Sequence, residues 1–137
     1  MRVTGLPKDA RMTQSRPTIG VIDDDISSRE SLSGLIQSLG FASRSFASAQ
    51  EFLAATVAND LACILVDMRM PGMSGLELQS ELSKNNDAAP IIFVTSQDDH
   101  ALRARALRAG AVALLRKPVV ADELLAHIAS LLSRAGK

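Results

Sequence analysis

Short apolar runs alternate along the chain with longer segments in which apolar residues recur every three or four positions. A continuous run of four to six residues is typical of a strand, and the wider spacing is typical of an amphipathic helix. The pattern predicts five strands, each followed by a helix. The predicted strands are TIGVI, FASRSF, CILV, IIFV and VALL, which begin at residues 18, 41, 63, 91 and 112.

Capping signals predict where the helices begin and end. Ser27 with Glu30, and Ser48 with Glu51, have the spacing of capping boxes for the first two helices. Gly40 ends the first helix, and Gly110 ends a fourth helix predicted over about residues 98–109. The inward faces predicted for the first, fourth and fifth helices consist of Leu32, Leu35, Ile36 and Leu39; Leu102, Ala106 and Ala109; and Leu124, Leu125, Ile128, Leu131 and Leu132.

Five alternating strands and helices predict an α/β fold, because parallel strands need crossover helices that bury their apolar stripes on the sheet. The result is a three-layer sandwich around a parallel five-stranded sheet. With 137 residues, 47% of them hydrophobic, one domain is expected. Residues 1–16 lack any helical or strand period and predict a flexible N-terminal arm, so the domain covers 17–137. Met12 offers a second possible start of translation.

Composition excludes several classes of function. Fifteen basic residues balance fifteen acidic ones, and the domain after the arm is mildly acidic, so a nucleic-acid partner is not expected. No apolar stretch approaches the ~20 residues of a membrane span, and the N-terminus lacks a signal-peptide core, which predicts a cytoplasmic protein. Cys63 lies in an apolar run and predicts a buried thiol, while His100 and His127 lack the spacing of metal ligands.

Polar side chains follow four of the five strands. In open parallel sheets the carboxyl ends of the strands share one edge, where ligands bind. Taken singly, each residue has an ordinary alternative, because aspartate and threonine often cap turns and lysine is usually solvated. Together they predict a site, and they are Asp23, Asp24, Asp67, Thr95, Ser96, Arg116 and Lys117.

The acids at residues 23–25 raise a question of charge. Like charges about 4 Å apart repel by roughly 4 kcal/mol at a protein surface, so either solvent or a cation must compensate them. Mg²⁺ prefers oxygen ligands and retains several waters, which suits Asp23, Asp24 and Asp67 together with a phosphate oxygen. Lys117 and Thr95 would then bind the remaining phosphoryl oxygens.

The segments VIDDD, LVDMRMPGMSGLEL, IIFVTS and GAVALLRKP resemble, in order and spacing, the receiver domain of bacterial two-component response regulators. The resemblance covers about residues 17–133. It implies a flavodoxin-like (βα)5 fold with strand order 2-1-3-4-5. It also implies a phosphoacceptor switch: Asp67 takes a phosphoryl group from a histidine kinase or histidine phosphotransfer protein, with Mg²⁺, and the surface for a downstream protein target changes.

The resemblance also assigns roles to single residues. Asp24 corresponds to a direct Mg²⁺ ligand, Asp23 to a ligand through water, and Arg69 to a ligand through its backbone carbonyl. Thr95 corresponds to the switch hydroxyl and Lys117 to the family's lysine, whose bond to Pro118 is commonly cis. Such a protein is not an enzyme in the usual sense, although it assists its own phosphorylation and dephosphorylation. Asp25 is expected to face solvent or to cap the first helix.

The chain departs from the family where Leu114 replaces a Tyr or Phe three residues before the lysine, and where Val119 replaces a frequent aromatic. The usual aromatic half of the switch is therefore missing. The family commonly dimerises through its fourth helix, fifth strand and fifth helix. In this chain the fourth helix is expected to expose Arg103, Arg105 and Arg108.

Three other functions remain open from the sequence. A phosphatase of the haloacid dehalogenase type would need a second acid two residues after Asp67, where this chain has Arg69. A pseudo-receiver would keep the fold as a binding module without the chemistry. The chain also fits the receiver part of a DNA-binding transcription regulator whose output domain is missing.

Overall fold

The computed structural model describes residues 16–85, 89–97 and 100–135, and Ala135 through its backbone alone. The predicted arm therefore lies outside the described residues, apart from Arg16. The strands are β1 (Thr18–Ile22), β2 (Ala42–Phe46), β3 (Cys63–Asp67), β4 (Ile91–Thr95) and β5 (Ala113–Arg116). The helices are α1 (Ile26–Ser38), α2 (Ala49–Ala55), α3 (Gly75–Lys84), α4 (His100–Arg108) and α5 (Ala121–Ala135).

All strand pairs are parallel, and the order across the sheet is β2-β1-β3-β4-β5. This confirms the predicted architecture and the order implied by the resemblance. β2 is an edge strand, as expected, and it exposes Arg44, whose guanidinium lies 5.6 Å from the ring centre of Phe46. A single 3₁₀ turn at Ala58–Asp60 precedes β3 and was not predicted. Among the described helices, none is both long and apolar enough to cross a bilayer.

The sheet separates two apolar layers, and β3 supplies residues to both. Ile64 and Val66 pack against α2, α3 and α4, while Cys63 and Leu65 pack against α1 and α5. This alternation follows from the two-residue period of a strand that is buried on both faces. The Cys63 thiol is fully buried, as predicted, and burial raises its pKa to about 12. The thiol therefore stays protonated and unreactive at neutral pH.

The first predicted capping box is wrong, and the correction matters for the site. Helix α1 begins earlier than expected, because Asp25 is its N-cap and accepts a hydrogen bond from the N–H of Ser28 at 2.8 Å. Ser27 is exposed within the first turn. At α2, Ser48 caps the helix as predicted and accepts from the N–H of Glu51 at 3.0 Å, although the carboxylate of Glu51 bonds to Ala47. A reciprocal capping box is found instead at the start of α3, where Ser74 and Glu77 each accept a hydrogen bond from the other's backbone N–H.

Three predicted side-chain positions are also wrong. Ala109 is exposed, because α4 ends at Arg108 and Gly110, at φ 107°, turns the chain away. Leu125 is 37% exposed, since Leu124 and Ile128 occupy the positions that face the sheet. Arg103, which was expected to be exposed, is half-buried. Residues 98 and 99, where α4 was predicted to begin, lie outside the described part of the chain.

Gly75, the first residue of α3, lets the helix approach the end of β3 closely. A β-carbon there would lie 2.8 Å from the Phe93 ring and 3.0 Å from the carbonyl oxygen of Asp67. The ring and the backbone are both held by the sheet, so neither can give way easily. Only glycine therefore allows helix α3 to support the residue that ends β3.

Substitution of Gly75 by alanine tests this packing. We expect Gly75→Ala to lower the free energy of unfolding by about 1–3 kcal/mol through overpacking. The matched control is Gly34→Ala in α1, where an added β-carbon would meet nothing within 4 Å. That change should raise stability by about 0.5–1 kcal/mol, because glycine is unfavourable inside a helix. Urea unfolding followed by circular dichroism measures both, and equal effects would contradict the packing argument.

Candidate functional site

The carboxyl ends of β1, β3 and β5 bring together the acids and the lysine expected from the sequence. Asp23 follows β1 and is fully buried, Asp24 is exposed beside it, and Asp67 ends β3 with a side chain that is 13% exposed. One carboxylate oxygen from each of these three residues lies within 4.8 Å of the others. The cluster predicted from the sequence therefore exists as a shared site.

Lys117 lies between two of the three carboxylates. Its ammonium nitrogen Nζ is 3.1 Å from Oδ2 of Asp23 and 3.5 Å from Oδ2 of Asp67. The backbone N–H of Lys117 donates to the carbonyl of Thr95 at 2.8 Å, which fixes the lysine against the end of β4. The Lys117–Pro118 bond is cis, as the resemblance implied.

The carboxylate of Asp23 accepts hydrogen bonds from the first turn of α1. The N–H of Asp25 donates to Oδ1 at 3.0 Å, and the Ser28 hydroxyl donates to Oδ2 at 2.6 Å. Arg29 donates from Nη1 to the backbone carbonyl of Asp23 at 2.7 Å. Ser28 and Arg29 were not among the site residues predicted from the sequence. The signal that could have found them was an N-cap at Asp25, which places both residues in the turn facing the end of β1.

These contacts set the charge of the buried pair. Burial alone would raise the pKa of Asp23, but the bonds from Ser28, Asp25 and Lys117 outweigh it, and the pKa lies below its usual value. Partial burial alone would lower the pKa of Lys117, but its contacts with Asp23 and Asp67 outweigh that and raise the pKa. Asp23 and Lys117 therefore form an ion pair at neutral pH.

Asp67 behaves differently. Burial raises its pKa to about 6, and the nearby Asp23 carboxylate adds to the rise. The N–H of Arg69, which donates to Oδ1 at 3.1 Å, and the charge of Lys117 act in the opposite direction without cancelling it. Without further positive charge, the ionised form of Asp67 is thus destabilised. A divalent cation beside this carboxylate would stabilise the ionised form.

The donor atoms fit a hard metal ion such as Mg²⁺. Three carboxylates supply oxygen alone, and the exposed Asp24 leaves one side of the cluster open to metal-bound water. The excess negative charge of the cluster supports the fit. Lys117 contacts Asp23 and Asp67, the two more buried carboxylates, so its one positive charge faces two negative ones. The acidic pocket is thus compatible with Mg²⁺.

The remaining predicted residues divide into two groups. Thr95 is buried at the end of β4, and its hydroxyl oxygen accepts from the N–H of Gln97 at 3.2 Å, so its own proton stays free to donate. Ser96, Arg116 and Arg69 are exposed, and none of their side chains is among the described contacts of Asp23, Asp67 or Lys117. Asp25 is an exposed N-cap, as expected.

The position that lacks the family's aromatic is filled by apolar packing. Leu114 is buried in the layer shared with α3 and α4. Its backbone carbonyl accepts a hydrogen bond from Nη1 of Arg103 at 3.3 Å, which ties α4 to β5. Val119, the second departure, is half-buried against α1 and α5.

The parallel sheet, its strand order and the acidic cluster beside a lysine together define a receiver-type phosphoacceptor domain. The sequence matches the family model described as response regulator receiver domain over residues 19–129, and the chain belongs to that family.

Several known proteins are similar to this chain. Nodulation protein W of Bradyrhizobium diazoefficiens is 39% identical over 123 residues, covering 90% of this chain and 54% of that protein. The transcriptional regulatory protein FixJ of Azorhizobium caulinodans is 40% identical over 126 residues, covering 92% and 59%. The crystal structure of a response regulator receiver domain protein from Clostridium thermocellum has a TM-score of 0.81 at 28% identity, covering 88% of this chain and 97% of that one. The chain thus spans a little over half the length of the curated relatives it matches.

The raised pKa of Asp67 predicts how stability depends on pH in metal-free protein. The folded state binds this proton more tightly than the unfolded state, whose pKa is near 3.8, so the resulting stability is complete below pH 3.8 and is lost as the pH rises through about 6. Asp67→Asn removes the loss. We expect the free energy of unfolding of Asp67→Asn, relative to that of the unsubstituted protein, to rise by about 1–3 kcal/mol between pH 4 and pH 8.

Urea unfolding in EDTA across that pH range measures this difference. Asp122→Asn, at an exposed position in the first turn of α5, is the control and should show no comparable growth. If the difference in free energy of unfolding between Asp67→Asn and the unsubstituted protein stayed constant with pH, burial would not destabilise the ionised carboxylate of Asp67.

Proposed function

We propose that the chain is a signalling switch in which Asp67 accepts a phosphoryl group from the phosphohistidine of a histidine kinase or a histidine phosphotransfer protein. The observation that carries the proposal is the contact of Lys117 with Asp23 and Asp67 inside a cluster of three carboxylates. This arrangement offers a nucleophile, a site for a divalent cation and a fixed positive charge within a few ångströms. Phosphoryl transfer depends mainly on such positioning and charge neutralisation.

The transfer uses the carboxylate of Asp67 as the nucleophile. One of its oxygens attacks phosphorus, the P–N bond to histidine breaks as the O–P bond forms, and the imidazole nitrogen keeps the electron pair. The N–H of Arg69 orients the carboxylate through Oδ1. Lys117, already 3.5 Å from Oδ2, neutralises charge on the phosphoryl oxygens, and the Thr95 hydroxyl donates to another of them.

Mg²⁺ would be held by Asp24 and Asp67 directly, by Asp23 through water and by the backbone carbonyl of Arg69. When bound, the metal neutralises charge on the transferring phosphoryl group. The chain's own contribution is to hold the two more buried carboxylates rigidly. Asp23 is fixed by α1 and Asp67 by the backbone after β3, so little reorganisation is needed when the metal arrives.

The output of the switch is a changed surface for a downstream protein. The part matched by this chain is a little over half of each relative, and FixJ is named a transcriptional regulatory protein, which supports a regulator whose output lies in another segment or another protein. The face formed by α4, β5 and α5 is the candidate surface, since Arg105 and Arg108 are exposed there and Leu107 is 42% exposed. With Leu114 in place of an aromatic, the contact between Arg103 and its carbonyl is available to transmit a shift of α4.

Labelling by a small phosphodonor tests the acceptor. Incubation with acetyl phosphate and Mg²⁺ should add one phosphoryl group per chain, detected by intact mass spectrometry, and EDTA should prevent it. Asp67→Asn should give no adduct, whereas Asp122→Asn should be labelled like the unsubstituted protein. Lys117→Met should slow labelling by about 100-fold or more, because it removes the positive charge that faces the phosphoryl oxygens.

The alternatives predict other results. Labelling of Asp67→Asn at the normal rate would identify a different acceptor. Absence of labelling in the unsubstituted protein, from both acetyl phosphate and a phosphorylated histidine kinase, would favour the pseudo-receiver. Steady release of phosphate from small phosphate esters would favour the phosphatase.

The surface proposal predicts association after phosphorylation. We expect sedimentation velocity to show a dimer with acetyl phosphate and Mg²⁺, and Arg105→Glu combined with Arg108→Glu to weaken it by at least about tenfold through loss of interface charge. Arg44→Glu on the opposite edge of the sheet is the control and should leave association unchanged. A dimer equally sensitive to Arg44→Glu would contradict the assignment of the surface.

A further inference from the structure

The fully buried carboxylate of Asp23 has its hydrogen-bonding capacity almost filled. An ionised carboxylate offers about four lone-pair directions, two on each oxygen. Oδ2 accepts from the Ser28 hydroxyl at 2.6 Å and from Lys117 Nζ at 3.1 Å, and Oδ1 accepts from the N–H of Asp25 at 3.0 Å. The direction left open is therefore on Oδ1, and Ser28 is one of the two groups that occupy Oδ2.

Ser28 is itself held on both sides. Its N–H donates to the N-cap carboxylate of Asp25 at 2.8 Å, while its hydroxyl donates to Asp23. The residue is half-buried and thus links the start of α1 to the buried acid. Ser27, the neighbouring serine, is exposed and makes neither contact.

We propose that Ser28 is a positioning residue that fixes the orientation of Asp23 for the metal site. The inference rests on the proposed function. By occupying Oδ2 together with Lys117, Ser28 leaves Oδ1 as the oxygen of Asp23 that would accept from a metal-bound water. Its second role concerns the lysine. When Lys117 leaves Asp23 to meet a phosphoryl oxygen, the Ser28 hydroxyl remains on Oδ2, so the buried carboxylate keeps a donor there.

Metal binding to three variants tests the first role. Isothermal titration of the whole chain with MgCl₂ should give a dissociation constant about 3–10 times higher for Ser28→Ala, because a hydrogen bond to a charged group is lost. Ser28→Thr keeps the hydroxyl and should bind within about twofold of the unsubstituted protein. Ser27→Ala, the matched control one residue away, should bind normally. Normal binding by Ser28→Ala, or equal loss in Ser27→Ala, would overturn the proposal.

A metal-free measurement separates positioning from general packing. When Asp23 is present, Ser28→Ala should raise the equilibrium constant for unfolding by about tenfold, because the folded state loses a hydrogen bond to a charged group. In an Asp23→Ala background, which has no acceptor for the hydroxyl, the same change should have less than about a twofold effect. Equal effects in both backgrounds would show that Ser28 acts only by packing and would overturn the role assigned to it.

Phosphoryl labelling then distinguishes the two proposals. If the unsubstituted protein is not labelled at Asp67 but Ser28→Ala weakens Mg²⁺ binding, the proposed function is contradicted and the role of Ser28 at the metal site is supported. If the unsubstituted protein is labelled at Asp67 but Ser28→Ala binds Mg²⁺ normally, the proposed function is supported and the role of Ser28 is overturned. At saturating Mg²⁺, Ser28→Ala should still label more slowly, since removal of Lys117 from Asp23 would then leave Oδ2 without a donor.

Discussion

The crowding of negative charge at one end of the sheet is the constraint on which the site depends. Three carboxylates share a space in which one oxygen of each lies within 4.8 Å of the others, and among the described residues one ammonium group, that of Lys117, contacts two of them. The hydrogen bonds from Ser28, Asp25 and Lys117 lower the pKa of Asp23, but burial leaves Asp67 with a pKa near 6. The imbalance is concentrated on the residue that we propose as the nucleophile, so a bound cation would at the same time favour the ionised form of Asp67.

The surrounding fold supplies rigidity to this unfavourable arrangement. Asp23 is held by the first turn of α1, Asp67 by the turn after β3, and Lys117 by its backbone bond to Thr95. Gly75 permits α3 to press against the carbonyl of Asp67 and the ring of Phe93. Repulsion that would spread the acids apart in a flexible loop is therefore resisted by packing on both faces of the sheet.

Much of the fold could be predicted from the sequence, because strand runs and helical spacing are strong signals in a chain whose sheet is buried on both faces. TIGVI matched β1 residue for residue, and the joint spacing of Asp23, Asp67 and Lys117 placed three strand ends at one edge. The errors arose where local signals compete. Ser27 with Glu30 has the spacing of a capping box, but Asp25 offers a better-placed carboxylate two residues earlier, and the contact of Ser28 with Asp23 follows from that start of the helix. Leu125 and Ala109 have the spacing of an inward-facing helical stripe, but both are exposed, because fewer positions of α4 and α5 face the sheet than the spacing predicts.

The two outer strands of the sheet each expose an arginine, Arg44 on β2 and Arg116 on β5. A second copy that tried to extend the sheet by pairing its backbone with either margin would bring guanidinium groups close to one another or would have to bury them. Growth into a continuous ribbon of strands is thereby disfavoured. Any self-association of this domain therefore has to use surfaces other than the backbone of these two outer strands.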